Sequence, residues 1–262
     1  MIGASQPGAP LRVVKIGGRA QSDPTLPALL AAAVATPGAR CVVVHGGGDE
    51  VTALQRRLGG EPTFVNGRRV TTPEDVDLVR MVLSGLVNKR LVGQLLGAGV
   101  RAVGLSGEDG ALLTADLFDG GALGAVGIPT AADARVVTAL LDAGFVPVVS
   151  PLARDADTGS PLNVNGDDAA AMIAVSLGAA ELLLVADVPG VLGADGLPLG
   201  SVDLDAAARL VTEGVARGGR AAKLDAARRA LAGGVPVVRI APVAALGDPT
   251  LGTVVTLSPS VV

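Results

Sequence analysis

Lysine is scarce in this chain, and two of its three lysines stand beside paired glycines. Of 21 basic residues only Lys15, Lys89 and Lys223 are lysines. Lys15 lies in an apolar run that ends in Gly17-Gly18, and Lys223 follows Gly218-Gly219. A lysine kept against an arginine-rich background marks a place that needs a compact ammonium on a flexible stem. Phosphate between closely spaced backbones is such a place, although chance retention is the alternative for each lysine.

Glycines also follow three predicted strands, at Gly17-Gly18, at Gly46-Gly47-Gly48 and at Gly104 with Gly107. The carboxyl ends of the strands in an open parallel sheet meet at one edge, where ligands bind. Three consecutive glycines expose several backbone N–H groups, and the dipole of a helix beginning at Asp49 adds positive potential. The pattern predicts an anion-binding turn. The alternative is a turn that requires glycine only for its conformation.

Two amides and two acids lie at a predicted helix start, at Asn163, Asn165, Asp167 and Asp168. Such side chains cap the helix, bind a ligand or hold a nearby ammonium. The loop 187–192 follows another predicted strand and is a candidate clasp for a base or a ribose. The Walker and dinucleotide-binding glycine motifs are missing, which argues against a Walker-type NTPase and a simple nicotinamide dehydrogenase.

Together these features favour phosphoryl transfer to a small acid. The transition state of that reaction is stabilised mainly by positioning and positive charge, which two lysines and a glycine-rich backbone supply. A carboxylate acceptor, with a pKa of about 4.3 as in glutamate, is ionised at neutral pH and needs no general base. The single histidine, the single cysteine and the lack of tyrosine are consistent with such chemistry.

Composition excludes several other classes of protein. The chain has 262 residues, 49% of them hydrophobic, which allows a substantial globular core. With three Phe, no Trp or Tyr and a net charge of −4, it offers neither base-stacking platforms nor a basic stripe, so nucleic-acid binding is not expected.

Cys41 and His45 lie in one apolar run, and Cys41 is expected to be a core residue. Within the chain, a disulfide, a thiolate metal site and a two-histidine metal site are therefore excluded. Any metal must be held by carboxylates or arrive with a phosphate ligand.

No membrane segment or leader is expected either. The chain does not open with a basic segment followed by an apolar stretch, which argues against a signal peptide. No apolar run reaches the roughly 18 residues that a membrane span needs. The sequence therefore predicts a cytoplasmic protein.

Short β-branched runs alternate with alanine- and leucine-rich segments of helical length, which predicts a mostly parallel sheet covered by helices on both faces. The predicted strands are 11–16, 41–45, 101–105, 145–150, 181–187 and 235–240. The predicted helices are 24–34, 49–58, 73–96, 131–143, 167–177, 205–212 and 220–232. The segment 109–127 predicts a hairpin or a loop.

A further hairpin is predicted over 63–71, because an Asn66-Gly67 pair separates two short runs that contain apolar residues. Its second strand places Arg68 and Arg69 on opposite faces. One arginine is therefore expected to face a site and the other to face solvent.

In their order and spacing, several segments resemble the amino-acid kinase family, and within it the members that phosphorylate N-acetyl-L-glutamate in arginine biosynthesis. The matching segments are 15–18, 45–48, 66–71, 87–89, 163–167, 187–192 and 218–223. The resemblance implies an α/β fold, an open three-layer αβα sandwich with a central, mainly parallel sheet. It also implies an N-terminal lobe over 1–168 that binds the acyl amino acid and dimerises, and a C-terminal nucleotide-binding lobe over 169–262.

The resemblance also assigns roles to individual residues. Lys15 and Lys223 would stabilise the charge on the transferred phosphoryl group, and Asp167 would orient both lysines. Gly17, Gly18, Gly46 and Gly47 would be backbone donors around the phosphates and the substrate, with Arg69, Asn163 and Asn165 as further ligands of N-acetyl-L-glutamate. The remaining nucleotide-site residues would be Asp187, Val188, Pro189, Gly190, Val191, Leu192, Val215, Ala216 and Arg217. ATP would bring Mg²⁺ bound through its phosphates, so no protein metal site is expected.

The chain departs from the family pattern at Arg220, where methionine is common, and at Gly166, where alanine is common. Arg220 is expected either to add charge near the phosphates or to face solvent. Only ten residues precede the first predicted strand, which predicts a homodimer rather than the arginine-inhibited hexamer.

Two alternative functions stay open. The segments 85–90 and 104–110 also resemble a sister kinase of lysine biosynthesis that acts on carrier-protein-linked aminoadipate or glutamate. The hairpin at 66–71 and the Asn163-Val164-Asn165 segment favour N-acetyl-L-glutamate. A non-catalytic ligand sensor on the same fold is the second alternative, and retention of both lysines and Asp167 argues against it.

Overall fold

Strands and helices alternate along most of the chain in the computed structural model, which describes residues 10–35, 38–65 and 67–258. The strands are β1 (Leu11–Ile16), β2 (Arg40–His45), β3 (Phe64–Val65), β4 (Arg68–Arg69), β5 (Ala102–Ser106), β6 (Leu113–Leu117), β7 (Val126–Ala132), β8 (Val146–Ser150), β9 (Leu152–Asp155), β10 (Pro161–Val164), β11 (Glu181–Val185), β12 (Ser201–Asp203), β13 (Val237–Ala241) and β14 (Thr253–Thr256). The α-helices are α1 (Leu26–Ala35), α2 (Gly48–Arg57), α3 (Pro73–Arg80), α4 (Asn88–Gly97), α5 (Arg135–Asp142), α6 (Gly166–Ser176), α7 (Leu204–Thr212) and α8 (Gly219–Ala232).

An eight-stranded sheet forms the centre of the molecule, in the order β12-β14-β13-β11-β1-β2-β8-β5. Its pairs are parallel except for β13 with β14, which confirms the predicted mainly parallel sheet. Alternate residues of β1 point to opposite faces. Val13 therefore belongs to the hydrophobic cluster on one side of the sheet, and Val14 to the cluster on the other. The result is the predicted three-layer αβα sandwich, with the carboxyl ends of β1, β2 and β11 side by side.

A small closed barrel, β10-β7-β6-β9, lies beside the sheet. Strands β6 and β7 pair antiparallel, which confirms the hairpin interpretation of residues 109–127. The sequence did not predict β9 and β10, because the polar turn between them, at 156–160, separates runs too short to stand out. The predicted helix over 131–143 is wrong at its start, since β7 continues to Ala132 and α5 begins only at Arg135.

The predicted helix over 73–96 is continuous but not uniform. It begins as expected, since Thr72 Oγ1 accepts a hydrogen bond from Asp75 N at 3.1 Å and Pro73 is the first helical residue. A π-helical segment, Met81–Val87, then joins α3 to α4. Its side chains Leu83 and Val87 pack beside the backbone of the turn that follows β2. Such wide turns are frequent at functional sites.

The predicted hairpin over 63–71 is present, with Phe64 opposite Arg69 and Val65 opposite Arg68. Asn66, the first turn residue of that prediction, lies outside the described residues, as do residues 1–9.

The predicted lobe boundary between residues 168 and 169 falls inside α6, while β1 of one lobe pairs with β11 of the other. The division into lobes stays a prediction. Among the helices of the described ranges, none is both long and apolar enough to cross a bilayer.

Candidate active site

Lys15 and Lys223 meet at a single carboxylate, that of Asp167. Lys15 comes from the end of β1, Asp167 from the first turn of α6 and Lys223 from the second turn of α8. Lys15 Nζ lies 2.9 Å from Asp167 Oδ1, and Lys223 Nζ lies 3.0 Å from the same oxygen and 3.2 Å from Oδ2. Residues more than 200 positions apart thus bring two ammonium groups to one point.

Burial sets the protonation of this cluster. Removal of Lys15 from water lowers its pKa to about 8, although Asp167 opposes the shift and Lys223 adds to it. For Asp167 burial acts to raise the pKa, but the two lysines outweigh it and the pKa lies below its usual value. The carboxylate is therefore ionised at neutral pH. Two cations share one anion, which leaves local positive charge.

A cavity of about 500 Å³ opens from this cluster along the carboxyl edge of the sheet. Of the residues predicted to bind phosphate or nucleotide, those that line it are Gly17, Gly18, Asp187, Val188, Gly190, Val191, Leu192, Val215, Ala216 and Arg217. Lys15, Asp167 and Lys223 form its inner end. Pro189 is not among the lining residues, whereas Arg19 and Arg220 are. Arg19 Nη1 lies 2.9 Å from Asp187 Oδ2, and this hydrogen bond lowers the pKa of Asp187.

The four glycines predicted as backbone donors divide into two groups. Gly46 N–H donates to Ile16 O at 2.9 Å and Gly17 N–H to Val185 O at 3.4 Å, so these two N–H groups serve the fold. Gly18 and Gly47 have no backbone acceptor within the described ranges. The bonds of Gly17 and Gly46 extend their strands into the turns, and the role of the four glycines as donors to a ligand stays a prediction.

The turn after β2 is held by a buried polar pair, His45 and Asn88. The bonds fit a neutral imidazole in which Nδ1–H donates to Gly46 O at 2.7 Å and Nε2 accepts from Asn88 Nδ2 at 3.1 Å. Burial lowers the pKa of His45 to about 4, which keeps the ring neutral. Asn88 Nδ2 also donates to Val148 O at 2.9 Å. Sequence reasoning missed this support, although Asn88 lies in the matched segment 87–89.

A second cavity, of about 200 Å³, has Gly166, the residue before Asp167, in its wall. The predicted substrate residues Gly46, Gly47, Arg69, Asn163 and Asn165 all line it. Val51, Val79, Leu83 and Val126 supply apolar surface, and no carboxylate side chain lines it among the described residues. A Cβ on Gly166, in its wall, would stand 3.2 Å from Lys15 Cε, so Lys15 lies directly behind this part of the wall.

Arg69 is fixed in the wall of this second cavity by neighbours that the sequence did not indicate. Its Nη1 donates to Gln55 Oε1 at 2.9 Å, and its Nη2 donates to Gly48 O at 2.8 Å and to Thr52 Oγ1 at 2.6 Å. The Phe64 ring lies 4.7 Å from the guanidinium carbon. Arg69 is thus anchored to α2, and no local sequence signal pointed to Gln55 or Thr52.

The expectation that one of the two hairpin arginines faces solvent is wrong. Arg68 Nη2 lies 3.0 Å from Asp168 Oδ2, and Asp168 is buried. Burial raises the pKa of Asp168 against the opposing effects of Arg229 and Arg68. The guanidinium of Arg68 also lies over the Phe118 ring. The hairpin is short enough for both arginines to turn toward the protein.

The two asparagines have different neighbours. Asn163 Nδ2 donates to Thr71 Oγ1 at 3.0 Å, beside the second cavity. Asn165 is the N-cap of α6, since its Oδ1 accepts from Asp167 N at 2.8 Å. Capping orients the helix turn that carries Asp167 and leaves the Asn165 amide group at the cavity wall.

Comparison with known proteins agrees with this arrangement. The sequence model of the amino acid kinase family matches residues 10–242. Over 240 residues the chain is 41% identical to an acetylglutamate kinase from Chloroflexus aurantiacus, covering 91% of this chain and 94% of that protein. It is 45% identical to an acetylglutamate kinase from Frankia alni, covering 87% and 69%. The crystal structure of smu.665 from Streptococcus mutans superposes with a TM-score of 0.83 at 30% identity, covering 95% and 99%. The chain therefore belongs to the amino acid kinase family, in agreement with its αβα fold and with the pair of lysines at the edge of the sheet.

Proposed function

We propose that this chain is an ATP-dependent kinase of the γ-carboxylate of N-acetyl-L-glutamate, forming N-acetyl-L-glutamyl 5-phosphate in arginine biosynthesis. One observation carries the proposal: Lys15 and Lys223 share Asp167 in one cavity, and Gly166, in the wall of a second and chemically different cavity, adjoins Lys15. One cavity then holds the nucleotide and the other holds the acid. The two ammonium groups stand where a phosphoryl group would pass between them.

The chemistry of the smaller cavity supports an acylated acidic amino acid. Arg68, paired with Asp168, and Arg69 line it; Arg69 would bind the α-carboxylate, while the γ-carboxylate would face Lys15 and Lys223. Its apolar wall suits an acetyl methyl group. The lack of a lining carboxylate among the described residues argues against a free α-ammonium group, which an acid would have to balance. N-acetyl-L-glutamate meets all three conditions.

The larger cavity is assigned to ATP, with the loop 187–192 and residues 215–217 around the nucleoside. Asp167 is occupied by the two lysines, and no cluster of three acidic, histidine or cysteine side chains exists within the described ranges. Mg²⁺ would therefore be held by the phosphates. When bound there, it would neutralise phosphate charge.

The reaction needs no proton transfer. An oxygen of the γ-carboxylate, already ionised, attacks the γ-phosphorus, and the bond from that phosphorus to the bridging oxygen breaks to release ADP. Negative charge on the equatorial oxygens is stabilised by Lys15 and Lys223 and by the free N–H groups of Gly18 and Gly47. Asp167 keeps the two ammonium groups from separating before the nucleotide binds.

We further propose a cytoplasmic homodimer in which residues 1–168 bind the acid and form the interface and residues 169–262 bind the nucleotide. Among the strands of the described ranges, β5 is paired on one side only and forms an edge of the central sheet. The nearby π-helical segment exposes Met81 and Leu86, with relative exposures of 61% and 58%. An unpaired edge beside exposed apolar side chains suits a second copy of the chain.

Trapping of the acyl phosphate tests the proposed activity. The purified chain is incubated with MgATP, N-acetyl-L-glutamate and hydroxylamine, and acyl hydroxamate is compared with ADP. We expect equal amounts of both products. Hydroxamate only with carrier-protein-linked aminoadipate or glutamate would identify the lysine-pathway reaction instead, and nucleotide binding without any product would identify a sensor.

A further inference from the structure

The cavity of about 500 Å³, here called the nucleotide cavity, is lined by cationic side chains beyond Lys15 and Lys223. Its lining includes five cationic side chains, of Lys15, Arg19, Arg217, Arg220 and Lys223, but only two carboxylates. Asp167 forms ion pairs with both lysines, and Asp187, the second carboxylate, forms one with Arg19. Arg217 Nε donates to Gly214 O at 2.8 Å. Among the described residues, the Arg220 side chain is in no ion pair and no hydrogen bond.

The position of Arg220 on α8 directs it to the same ligand as Lys223. The two residues are three apart, so they lie on one face of the helix, about 4.5 Å apart along its axis. Arg220 is exposed and Lys223 only partly exposed, and Arg220 lies about one turn nearer the start of α8, which follows the loop 215–217. A ligand that reaches from that loop to Lys223 passes Arg220 on the way.

Arg220 lies in a helix turn where an anion is favoured over a cation. The first turn of α8 contains no acidic residue, and its N-cap, Gly218, provides no side-chain cap. A cation there is repelled by the positive end of the helix dipole. An anion bound against this turn would remove that repulsion and add a charge-assisted hydrogen bond.

We propose that Arg220 is a phosphate-binding residue that contacts the β-phosphate of the nucleotide. The inference rests on the proposed function, since it presupposes a nucleoside triphosphate in the larger cavity. The transferred phosphoryl group lies at Lys15 and Lys223, and the phosphate next to it along the chain lies at Arg220. Arg220 therefore contributes to the binding of both ATP and ADP, and not to the binding of AMP.

Calorimetric titration of ADP and AMP into the wild-type chain and R220M tests the assignment. Methionine keeps the length and helix propensity of the side chain and removes its charge. We expect R220M to bind ADP about tenfold more weakly, the loss typical of one exposed charge-assisted hydrogen bond, with AMP affinity unchanged. The ADP difference should shrink with added salt. R220K should recover part of the affinity, and R220Q replaces R220M if that variant does not fold.

R228M is the matched control, because Arg228 lies on the same helix, pairs with Asp225 and does not line the nucleotide cavity. It should bind ADP as the wild-type chain does. Wild-type affinity of R220M for ADP would overturn the assignment, as would an equal loss for AMP and ADP. Failure of the wild-type chain itself to bind ADP would instead refute the proposed function, and this inference with it.

Discussion

Asp167 brings the ammonium groups of Lys15 and Lys223 together. We expect each lysine to contribute mainly to the rate of the reaction. Lys223→Ala should lower kcat by about 100- to 1,000-fold and change KM for either substrate little, because its ammonium stabilises charge that develops in the transition state. Steady-state kinetics measure this. Lys89→Ala is the control, since among the described residues that lysine bonds Asn88 and Gly104 O and lines neither cavity. A Lys223→Ala variant that changes only KM would reassign Lys223 to ground-state binding.

The lowered pKa of Lys15 predicts a pH dependence with a definite sign. Its ammonium is required and its pKa is about 8, so kcat/KM should fall as pH rises above that value. The fall in kcat should occur at a higher pH than the fall in kcat/KM, because bound anionic substrates raise the pKa of Lys15. Initial rates from about pH 7 to about pH 10 give both profiles. A flat kcat/KM over this range would contradict a role for the protonated Lys15.

At the scale of elements, the turn between β2 and α2 depends on one glycine more than on its neighbour. Gly47 has φ of 155°, and a Cβ there would lie 2.7 Å from Leu83 Cδ2, whereas a Cβ on Gly48 meets nothing within 4 Å. Gly47→Ala should lower the free energy of unfolding by about 1–3 kcal/mol and reduce activity by moving a free N–H group. Gly48→Ala is the matched control and should be neutral. Thermal unfolding and rates measure both, and equal behaviour of the two variants would disprove this dependence.

Elements that positioned the site were largely predictable, because parallel strands place their carboxyl ends at one edge. That rule brought Lys15 and the glycine turns together from sequence alone. The anchors of Arg69 were not predictable, since Gln55 and Thr52 are ordinary surface-type residues until α2 packs against the hairpin. The partner of Arg68 was missed for a related reason. In a long strand, successive side chains point to opposite faces. Strand β4 has only two residues, and the orientation of Arg68 is set by its ion pair with Asp168.

At the scale of the whole molecule, we expect a dimer that forms through β5 and the π-helical segment Met81–Val87. Sedimentation velocity should give twice the chain mass of 25.7 kDa. Paired replacement of Met81 and Leu86 by glutamate should produce monomers, because charge would enter an apolar contact. Leu58→Glu, at an exposed leucine elsewhere, should leave the dimer intact. A wild-type monomer or hexamer, or a dimer that survives the paired replacement, would refute this interface.

The convergence of the two lysines on one migrating phosphoryl group is the claim on which the proposed chemistry depends. The most direct measurement is a crystal structure with MgADP, N-acetyl-L-glutamate and tetrafluoroaluminate, a planar mimic of that group. We expect Lys15 Nζ and Lys223 Nζ both to lie within about 3 Å of the mimic, which lies between ADP and the γ-carboxylate. A structure in which either ammonium stays away from the mimic, or in which the acid occupies another cavity, would contradict it.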